Sequence, residues 1–185
     1  MYDKKHCKPK DQTPSAFLVK NIEKIDILDK PILDVACGYG RNGAYMIKNK
    51  NSRVVFIDHD IDCLKYIQTG KNLSVNGDVD VNNIRVLYRN LNSEKLPFPD
   101  NSVGGIIDIH YYNPLLINEM VRVLAVGGFF CFESISARGK TICELPDYYY
   151  IKYLLNKFKI ISYFEKRGVP EEFCKSITKI FAIKQ

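Results

Sequence analysis

Residues 33–43, with the sequence LDVACGYGRNG, decide how this chain folds. Gly38, Gly40 and Gly43 satisfy the pattern G-x-G-x-x-G. An apolar run precedes them, a segment of helical character follows, and Asp58 closes the next apolar run. A glycine turn between a strand and a helix, followed by an acid at the end of the second strand, is typical of a nucleotide-binding βαβ unit. The stretch therefore predicts an α/β fold with a ligand at this turn.

Apolar runs and helical periodicities alternate on both sides of the glycine turn. We expect strands at residues 31–36, 53–58, 84–88, 103–109 and 129–134. We expect helices opening at Pro14 and Ser15, over residues 41–50, from Ile61 onward, near residues 116–124 and over residues 148–155. Residues 126–128 (VGG) are expected to end the helix before the fifth strand. This alternation predicts a parallel sheet with helices on both faces.

The C-terminal third predicts a change of strand direction. Residues 159–164 and 176–183 both have strand character, and the connector between them contains Gly168 and Pro170. A parallel crossover needs a dozen or more residues, usually with a helix. The connector is too short for a crossover, and its glycine and proline would interrupt a helix. The two strands are therefore expected to form an antiparallel hairpin at the end of the sheet.

Length and composition fit one globular domain. The chain has 185 residues, of which 46% are hydrophobic and 26% charged. We expect a single domain over residues 1–185, with residues 1–13 as a flexible N-terminal arm. Apolar runs long enough to cross a membrane, about 20 residues, are missing from the sequence. The polar, basic start does not resemble a secretory signal, so we expect a cytoplasmic protein without a membrane partner.

Cysteine and charge patterns add few constraints. None of the six cysteines forms a Cys-x-x-Cys pair. Reduced, buried thiols are expected in place of a disulfide framework or a zinc site, so we expect no metal. The net charge of +6 leaves nucleic acid open as a partner without indicating it, because basic residues usually form a solvated surface. The sequence makes no prediction of oligomeric state.

Two cofactors fit the glycine turn. A nicotinamide or flavin dinucleotide would place its pyrophosphate on the helix N-terminus. Asp34 would bring a negative charge toward that pyrophosphate, whereas S-adenosylmethionine has no phosphate and carries a sulfonium and an ammonium. Asp58 suits either ligand, because both present ribose hydroxyls. A turn without any ligand is the third alternative, and the joint occurrence of Asp34, the glycines and Asp58 argues against it.

Residues 33–42 (LDVACGYGRN) resemble motif I of class I S-adenosylmethionine-dependent methyltransferases. They are most similar to the small bacterial group related to tellurite-resistance methyltransferases, in which LD-x-x-CG-x-GRN is typical. Weaker similarities follow at residues 14–18, 54–60, 90–98, 113–115 and 127–134. The resemblance implies a Rossmann-like three-layer sandwich: a seven-stranded, mostly parallel sheet with an antiparallel C-terminal strand.

The same resemblance implies residue roles. Asp34, Ala36, Gly38 and Gly40 would hold the methionine part of S-adenosylmethionine, and Asn42 is also expected to bind the cofactor. Asp58 would bind the ribose, His59 would flank the adenine, Asn90 and Leu91 would lie at the adenine edge, and His110 would lie near the sulfonium. The chain departs from the family pattern at Ala36, where a glycine is common, at Asn90, where an acid is frequent, and at Gly104 and Gly105, where many relatives have an aspartate.

Methyl transfer mainly requires positioning of the acceptor, because the donor is already activated. A general base is needed only for an acceptor that arrives protonated. His110 is a candidate catalytic base, and Glu133 is a candidate base or a group that orients a cationic acceptor. Tyr111, Tyr112 and Glu133 are expected to bind the acceptor. Packing at the strand ends, or termination of a strand at the surface for Glu133, is the structural alternative for each.

These observations predict an S-adenosylmethionine-dependent methyltransferase that acts on a small-molecule acceptor, because the sequence is nearly all core domain. Residues 136–140 and 148–150 are expected to border the acceptor site. Three alternatives remain open: a methyltransferase acting on RNA or protein, a non-catalytic domain that binds S-adenosylmethionine, and a nicotinamide-dependent oxidoreductase.

Overall fold

The computed structural model describes residues 12–70, 81–135, 151, 153, 155–166 and 177–185. The strands are β1 (Ile32–Val35), β2 (Val54–Asp58), β3 (Ile84–Tyr88), β4 (Val103–Ile109), β5 (Leu124–Ile135), β6 (Phe158–Lys166) and β7 (Ile177–Lys184). The helices are α1 (Ala16–Ile22), α2 (Arg41–Lys50), α3 (Ile61–Gln68) and α4 (Pro114–Val123), and a 3-10 turn at Val81–Asn83 leads into β3.

All seven strands form one sheet, in the order β3-β2-β1-β4-β5-β7-β6. The first five strands in the chain, β1 to β5, are parallel to one another. The last strand, β7, is antiparallel to both β5 and β6. The predicted seven-stranded, mostly parallel sheet and its antiparallel C-terminal hairpin are therefore confirmed, with β7 inserted between β5 and β6.

Apolar side chains cover both faces of the sheet. Helices α1, α2 and α3 pack on one face, where their buried residues include Leu18, Ile22, Met46, Ile47, Leu64 and Ile67. Helix α4 and the segment before β6 pack on the other face, with Leu116, Ile117, Met120, Ile151 and Leu155 among the buried residues. Because successive strand residues point to opposite faces, Phe130 joins the α4 face and Phe129 the α1–α3 face. The predicted three-layer arrangement is confirmed.

Polar residues fix the starts of three helices. The side chains of Ser15, Asp60 and Asn113 accept hydrogen bonds from backbone N–H groups in the first turns of α1, α3 and α4. These groups have no partner within a helix, so a side-chain oxygen at this position stabilises the helix by about 1 kcal/mol. In α4, Pro114 follows the Asn113 cap at the first helical position. The Asn113-Pro114 pair is thus a helix start.

The connection between α4 and β5 differs from the prediction. Helix α4 ends at Val123, and β5 begins at Leu124, which pairs with Val103 before the register shifts to Phe129 opposite Gly105. The expected turn at residues 126–128 is an irregularity inside a longer strand. Gly127, within this irregularity, has a left-handed φ of 80°. The Phe129 ring packs over Gly105, where a Cβ would lie only 2.1 Å from it. Gly104 and Gly105 belong to β4 as predicted.

Three predictions lie largely or wholly outside the described residues. They concern the flexible arm at residues 1–13, the helix at residues 148–155, and the acceptor-site border at residues 136–140 and 148–150. Cys37, Cys63 and Cys131 are free, buried thiols, as expected, and the other three cysteines also fall outside. Among the described residues, the structure has no helix long and apolar enough to span a membrane.

Candidate functional site

The site forms where the order of strands reverses. From β1 the chain proceeds outward to β2 and β3, and it then crosses to β4 and β5 on the other side of β1. Open α/β sheets bind ligands in the crevice at the carboxyl ends of the strands at such a switch point. Ala36 and His110 directly follow β1 and β4, and both have left-handed backbone conformations, with φ of 49° and 68°. The chain therefore turns away from the sheet at both strands that border the crevice.

The glycine turn lies at this crevice, and steric contacts explain its glycines. Gly40 has a φ of 76°, caps α2, and donates its N–H to the Cys37 carbonyl at 2.9 Å. A Cβ on Gly40 would lie 2.9 Å from the side chains of Ile67 and Phe56. A Cβ on Gly43 would lie 2.3 Å from the Phe56 ring. The G-x-G-x-x-G pattern thus allows α2 to approach β2 closely.

Asp34 supports the turn from inside the protein. Its buried carboxylate accepts the Gly43 N–H at 2.8 Å, which joins β1 to the first turn of α2. Burial raises the pKa of Asp34 to about 7, although the hydrogen bond from Gly43 acts in the opposite direction. A carboxyl with this pKa is only about half ionised near neutral pH. Asp34 alone therefore gives the crevice less negative charge than the sequence argument assumed.

Asp58 connects β2 to the glycine turn. Its Oδ2 atom accepts the Gly38 N–H at 2.8 Å, and its Oδ1 atom accepts the Asp60 N–H at 2.9 Å. The Nδ1 atom of His59, an exposed residue, lies 3.3 Å from Oδ1. The structure thus brings together the predicted ribose-binding acid, the adenine-flanking histidine and the turn predicted to hold the methionine.

The loop after β3 contacts the segment after β4. Asn90 is exposed, and its side chain accepts the Asn92 N–H at 3.2 Å. The Leu91 side chain is buried in the core, and its carbonyl accepts a hydrogen bond from the Asn113 amide at 3.0 Å. Tyr111 donates its hydroxyl to Asn92 at 2.8 Å. These bonds connect the predicted adenine side to the predicted acceptor side.

Glu133, at the end of β5, has three donors around its carboxylate. Ser15 donates its hydroxyl at 2.8 Å, and the Lys179 ammonium lies at 2.9 Å. The His110 Nε2 atom lies 3.5 Å away. Burial acts to raise the pKa of Glu133, but the bonds from these three residues lower it to about 2.

A carboxylate with so low a pKa is a poor base near neutral pH, so the structure argues against Glu133 as a catalytic base. The residue is 6% exposed, which also contradicts a strand end at the surface. Its contacts fit a group that positions His110. The His110 N–H donates to the Glu133 carbonyl at 2.7 Å, so backbone and side chain both connect the two residues.

Ser15 is a site residue that the sequence analysis identified only as a helix start. Its hydroxyl bonds Glu133, and its backbone N–H donates to the Asn42 side chain at 2.9 Å. Arg41 donates to the Thr13 carbonyl at 3.1 Å. The start of α1 therefore joins the glycine turn to the acceptor side. A serine before a helix is an ordinary cap, so no sequence signal distinguishes this one.

Tyr111 and Tyr112 are partly buried against the core on the α4 face. The Tyr112 ring meets the Phe132 ring edge-on, with centroids 6.3 Å apart. Both tyrosines lie next to His110, after β4. Their packing is what the structure shows, and acceptor binding remains a prediction.

Asp108 is the second residue that received no role from the sequence. It is 0% exposed, and neither carboxyl oxygen has a hydrogen-bond partner among the described residues. Burial, together with the negative charge of Asp34, raises the pKa of Asp108 well above its usual range. Asp108 lies between the strands that carry Asp34 and Glu133.

Four buried acids thus stand near the carboxyl ends of neighbouring strands: Asp58 on β2, Asp34 on β1, Asp108 on β4 and Glu133 on β5. The Asp58 carboxylate and the partly ionised Asp34 both accept N–H groups of the glycine turn and its helix, where their charge would repel a pyrophosphate and attract a cation. The glycine turn and the sign of these charges together fit S-adenosylmethionine better than a dinucleotide.

Comparisons with known proteins agree with this fit. Residues 32–128 match the family described as "Methyltransferase domain". A search of curated protein sequences finds no match. Among solved structures, a SAM-dependent methyltransferase from Aquifex aeolicus is 18% identical, with a TM-score of 0.61 over 91% of this chain and 89% of that one.

Two further structures share the fold at lower identity. Geranyl diphosphate C-methyltransferase from Streptomyces coelicolor, solved with S-adenosylhomocysteine, is 14% identical, with a TM-score of 0.70 over 92% of this chain and 77% of that one. The YcgJ protein from Bacillus subtilis is 13% identical, with a TM-score of 0.66 over 91% and 97% of the two chains. The family match covers more than half of the 185 residues. The chain belongs to the methyltransferase domain family and is an S-adenosylmethionine-dependent methyltransferase.

Proposed function

We propose that the protein transfers the methyl group to a small-molecule acceptor held over the carboxyl ends of β4 and β5. The observation that carries this proposal is the bridge from Ser15 to Glu133, which brings the start of α1 across the sheet edge. The Ser15 bridge at the start of α1 and the partly buried Tyr111 and Tyr112 would then both border the acceptor beside His110. The small acceptor named for geranyl diphosphate C-methyltransferase supports the same class. The LD-x-x-CG-x-GRN motif further supports placement in the bacterial group related to tellurite-resistance methyltransferases.

The cofactor roles that we propose follow the sequence analysis. Asp58 binds the ribose hydroxyls, and His59, Asn90 and Leu91 surround the adenine. Gly38, Gly40 and the backbone at Ala36 lie along the methionine. Asp34 and Asn42 act on that part through the glycine turn, because the side chain of Asp34 bonds Gly43 and that of Asn42 bonds Ser15.

The ribose role of Asp58 is tested with S-adenosylhomocysteine, which binds without turnover. We expect Asp58→Ala to weaken binding at least about tenfold by calorimetry, which corresponds to about 1.4 kcal/mol. Asp29→Ala is the matched control, because Asp29 is an exposed carboxylate beside Arg53 and outside the crevice. Unchanged affinity in Asp58→Ala, with the melting temperature preserved, would contradict the assignment.

His110 is the proposed base for an acceptor that arrives protonated. The acceptor atom bonds the methyl carbon as the carbon–sulfur bond breaks, and its proton passes to His110. The ionised Glu133 carboxylate then stabilises the imidazolium, in the manner of an acid that orients a catalytic histidine. Once an acceptor is known, His110→Gln is expected to lower the maximal rate without changing cofactor affinity. An unchanged pH–rate profile in this variant would exclude His110 as the base.

A methyltransferase acting on RNA is the second candidate, and the net charge of +6 favours it. Binding to phosphates releases counterions, so an RNA enzyme would lose RNA affinity steeply as salt rises. Titration with bulk RNA at low and moderate salt distinguishes the two candidates. No binding at low salt would leave the small-molecule proposal standing.

We also propose one domain over residues 1–185 and a cytoplasmic location. The free thiols of Cys37, Cys63 and Cys131 support a reducing compartment. Limited proteolysis that divided the chain into two separately stable fragments would contradict the single domain.

A further inference from the structure

Asp108 is fully buried beneath the crevice, near the carboxyl end of β4, and the assignments above do not use it. In the sheet register it lies opposite Val35, the last residue of β1, and opposite Phe132 of β5. It stands two residues before His110, on the face of the sheet that α4 covers. The family resemblance implies that His110 lies near the sulfonium, and we extend the proposed function by this placement, which puts Asp108 beneath the same point of the crevice.

Among the described residues, neither carboxyl oxygen of Asp108 has a hydrogen-bond partner. The charge that acts on Asp108 is that of Asp34 on the neighbouring strand β1, which is also an acid. Asp108 in turn acts on the buried Cys131 thiol of β5. The Lys179 ammonium and the His110 imidazole contact Glu133. The buried residues of α4 are apolar. An unpaired carboxylate is very unfavourable in such a place, so Asp108 keeps its proton unless a cation arrives.

The cofactor and its product differ by one such cation. S-adenosylmethionine carries a sulfonium, and S-adenosylhomocysteine has a neutral thioether with the same adenosine, ammonium and carboxylate. We propose that Asp108 is the counter-charge for the sulfonium, so that it distinguishes the methyl donor from the product. The inference rests on the proposed placement of His110.

The charge state of Asp108 then follows the ligand. Asp108 releases its proton to solvent when the methyl donor binds, since the sulfonium stabilises the carboxylate through the low-dielectric interior. After methyl transfer the sulfonium charge is gone, and Asp108 takes up a proton again. The product then lacks this attraction, which favours its release.

Calorimetry of the whole protein at pH 7 tests this without any acceptor. Each ligand is titrated in two buffers of different ionisation enthalpy, which yields the affinity and the number of protons released. We expect proton release with S-adenosylmethionine and little with S-adenosylhomocysteine. In Asp108→Asn, which keeps the size of the side chain, this difference should vanish. Affinity for the methyl donor should fall about tenfold while product affinity stays within about twofold.

Asp34→Asn is the matched control, because Asp34 is a second buried acid near the carboxyl ends of the strands, and burial raises its pKa to about 7. The difference in proton release between S-adenosylmethionine and S-adenosylhomocysteine should persist in this variant. The inference would be overturned if this difference in proton release disappears in Asp34→Asn and persists in Asp108→Asn. An equal loss of affinity for both ligands in Asp108→Asn would also overturn the inference, because that outcome indicates a structural or ammonium-binding role.

The wild-type protein alone gives a decisive measurement if Asp108→Asn does not fold. Equal proton release with both ligands would refute the role of Asp108 while leaving the cofactor assignment intact. Failure of both ligands to bind would instead overturn the proposed function, and the inference with it.

Discussion

Gly43→Ala is the substitution for which the structure gives the clearest steric expectation. The new Cβ would lie 2.3 Å from the Phe56 ring and 2.9 Å from the Asp34 carboxylate. Carbon atoms in contact normally stay about 3.5 Å or more apart, so α2 or the ring must move by about 1 Å. The Phe56 ring is fully buried, so it has little room to move.

The expected loss of stability combines three effects. Overpacking a close-packed core costs about 1–3 kcal/mol, and weakening the bond from Gly43 to the buried Asp34 costs about 1 kcal/mol more. Alanine in a helix regains about 1 kcal/mol relative to glycine. We therefore expect a net loss of about 2 kcal/mol. Since the glycine turn moves with α2, affinity for S-adenosylhomocysteine should fall about tenfold.

Urea unfolding measures the stability, and calorimetry measures the affinity. Phe56→Leu provides the control, because a smaller side chain makes room for the new methyl group. The double variant should be more stable than the sum of the single effects predicts, by about 1 kcal/mol. Wild-type stability and affinity in Gly43→Ala would refute the steric argument, and strict additivity would show that Phe56 is not the obstacle.

Three further predictions concern charged residues. Arg122→Met should lower the free energy of unfolding by about 1–2 kcal/mol in urea, because the guanidinium bonds two backbone carbonyls and two carboxylates; no loss would contradict this. Asp108 has a raised pKa in the folded state, so the wild type should lose stability as pH rises above about 4, and Asp108→Asn should flatten this slope. Glu133 has a lowered pKa of about 2, so its contribution to the free energy of unfolding should disappear as pH falls from about 4.5 to 2. If Glu133→Gln loses stability over the same pH range as the wild type, this prediction is contradicted.

Local patterns predicted most elements of the fold. The predicted bounds of α2, β3 and β4 match the structure, because glycine turns, caps and β-rich apolar runs mark these segments in the sequence itself. The C-terminal hairpin was predictable because its connector is too short for a parallel crossover. The start of β5 was not, since it depends on the pairing of Leu124 with Val103 on another strand, ahead of a register shift that no local pattern marks.

The candidate site was predictable in position but less so in chemistry. The glycine turn and Asp58 lie together as expected, because strand order brings the carboxyl ends of β1 and β2 side by side. The low pKa of Glu133 depends on Ser15 and Lys179, which are distant in sequence. That Asp108 has no hydrogen-bond partner among the described residues depends on the elements packed around it. Sequence spacing contains no signal for such contacts.

The place of β7 has a consequence for synthesis of the protein on the ribosome. In the sheet as described, β6 has β7 as its neighbouring strand, and β7 also pairs with the inner strand β5. Residues 158–166 therefore leave the ribosome before the strand that pairs with them, and β5 presents an open edge for the same interval. Open strand edges are sites of aggregation. A nascent chain halted before Ile177 should accordingly need chaperone protection. Once β7 is synthesised, it pairs with the open edges of both β5 and β6, and this need ends.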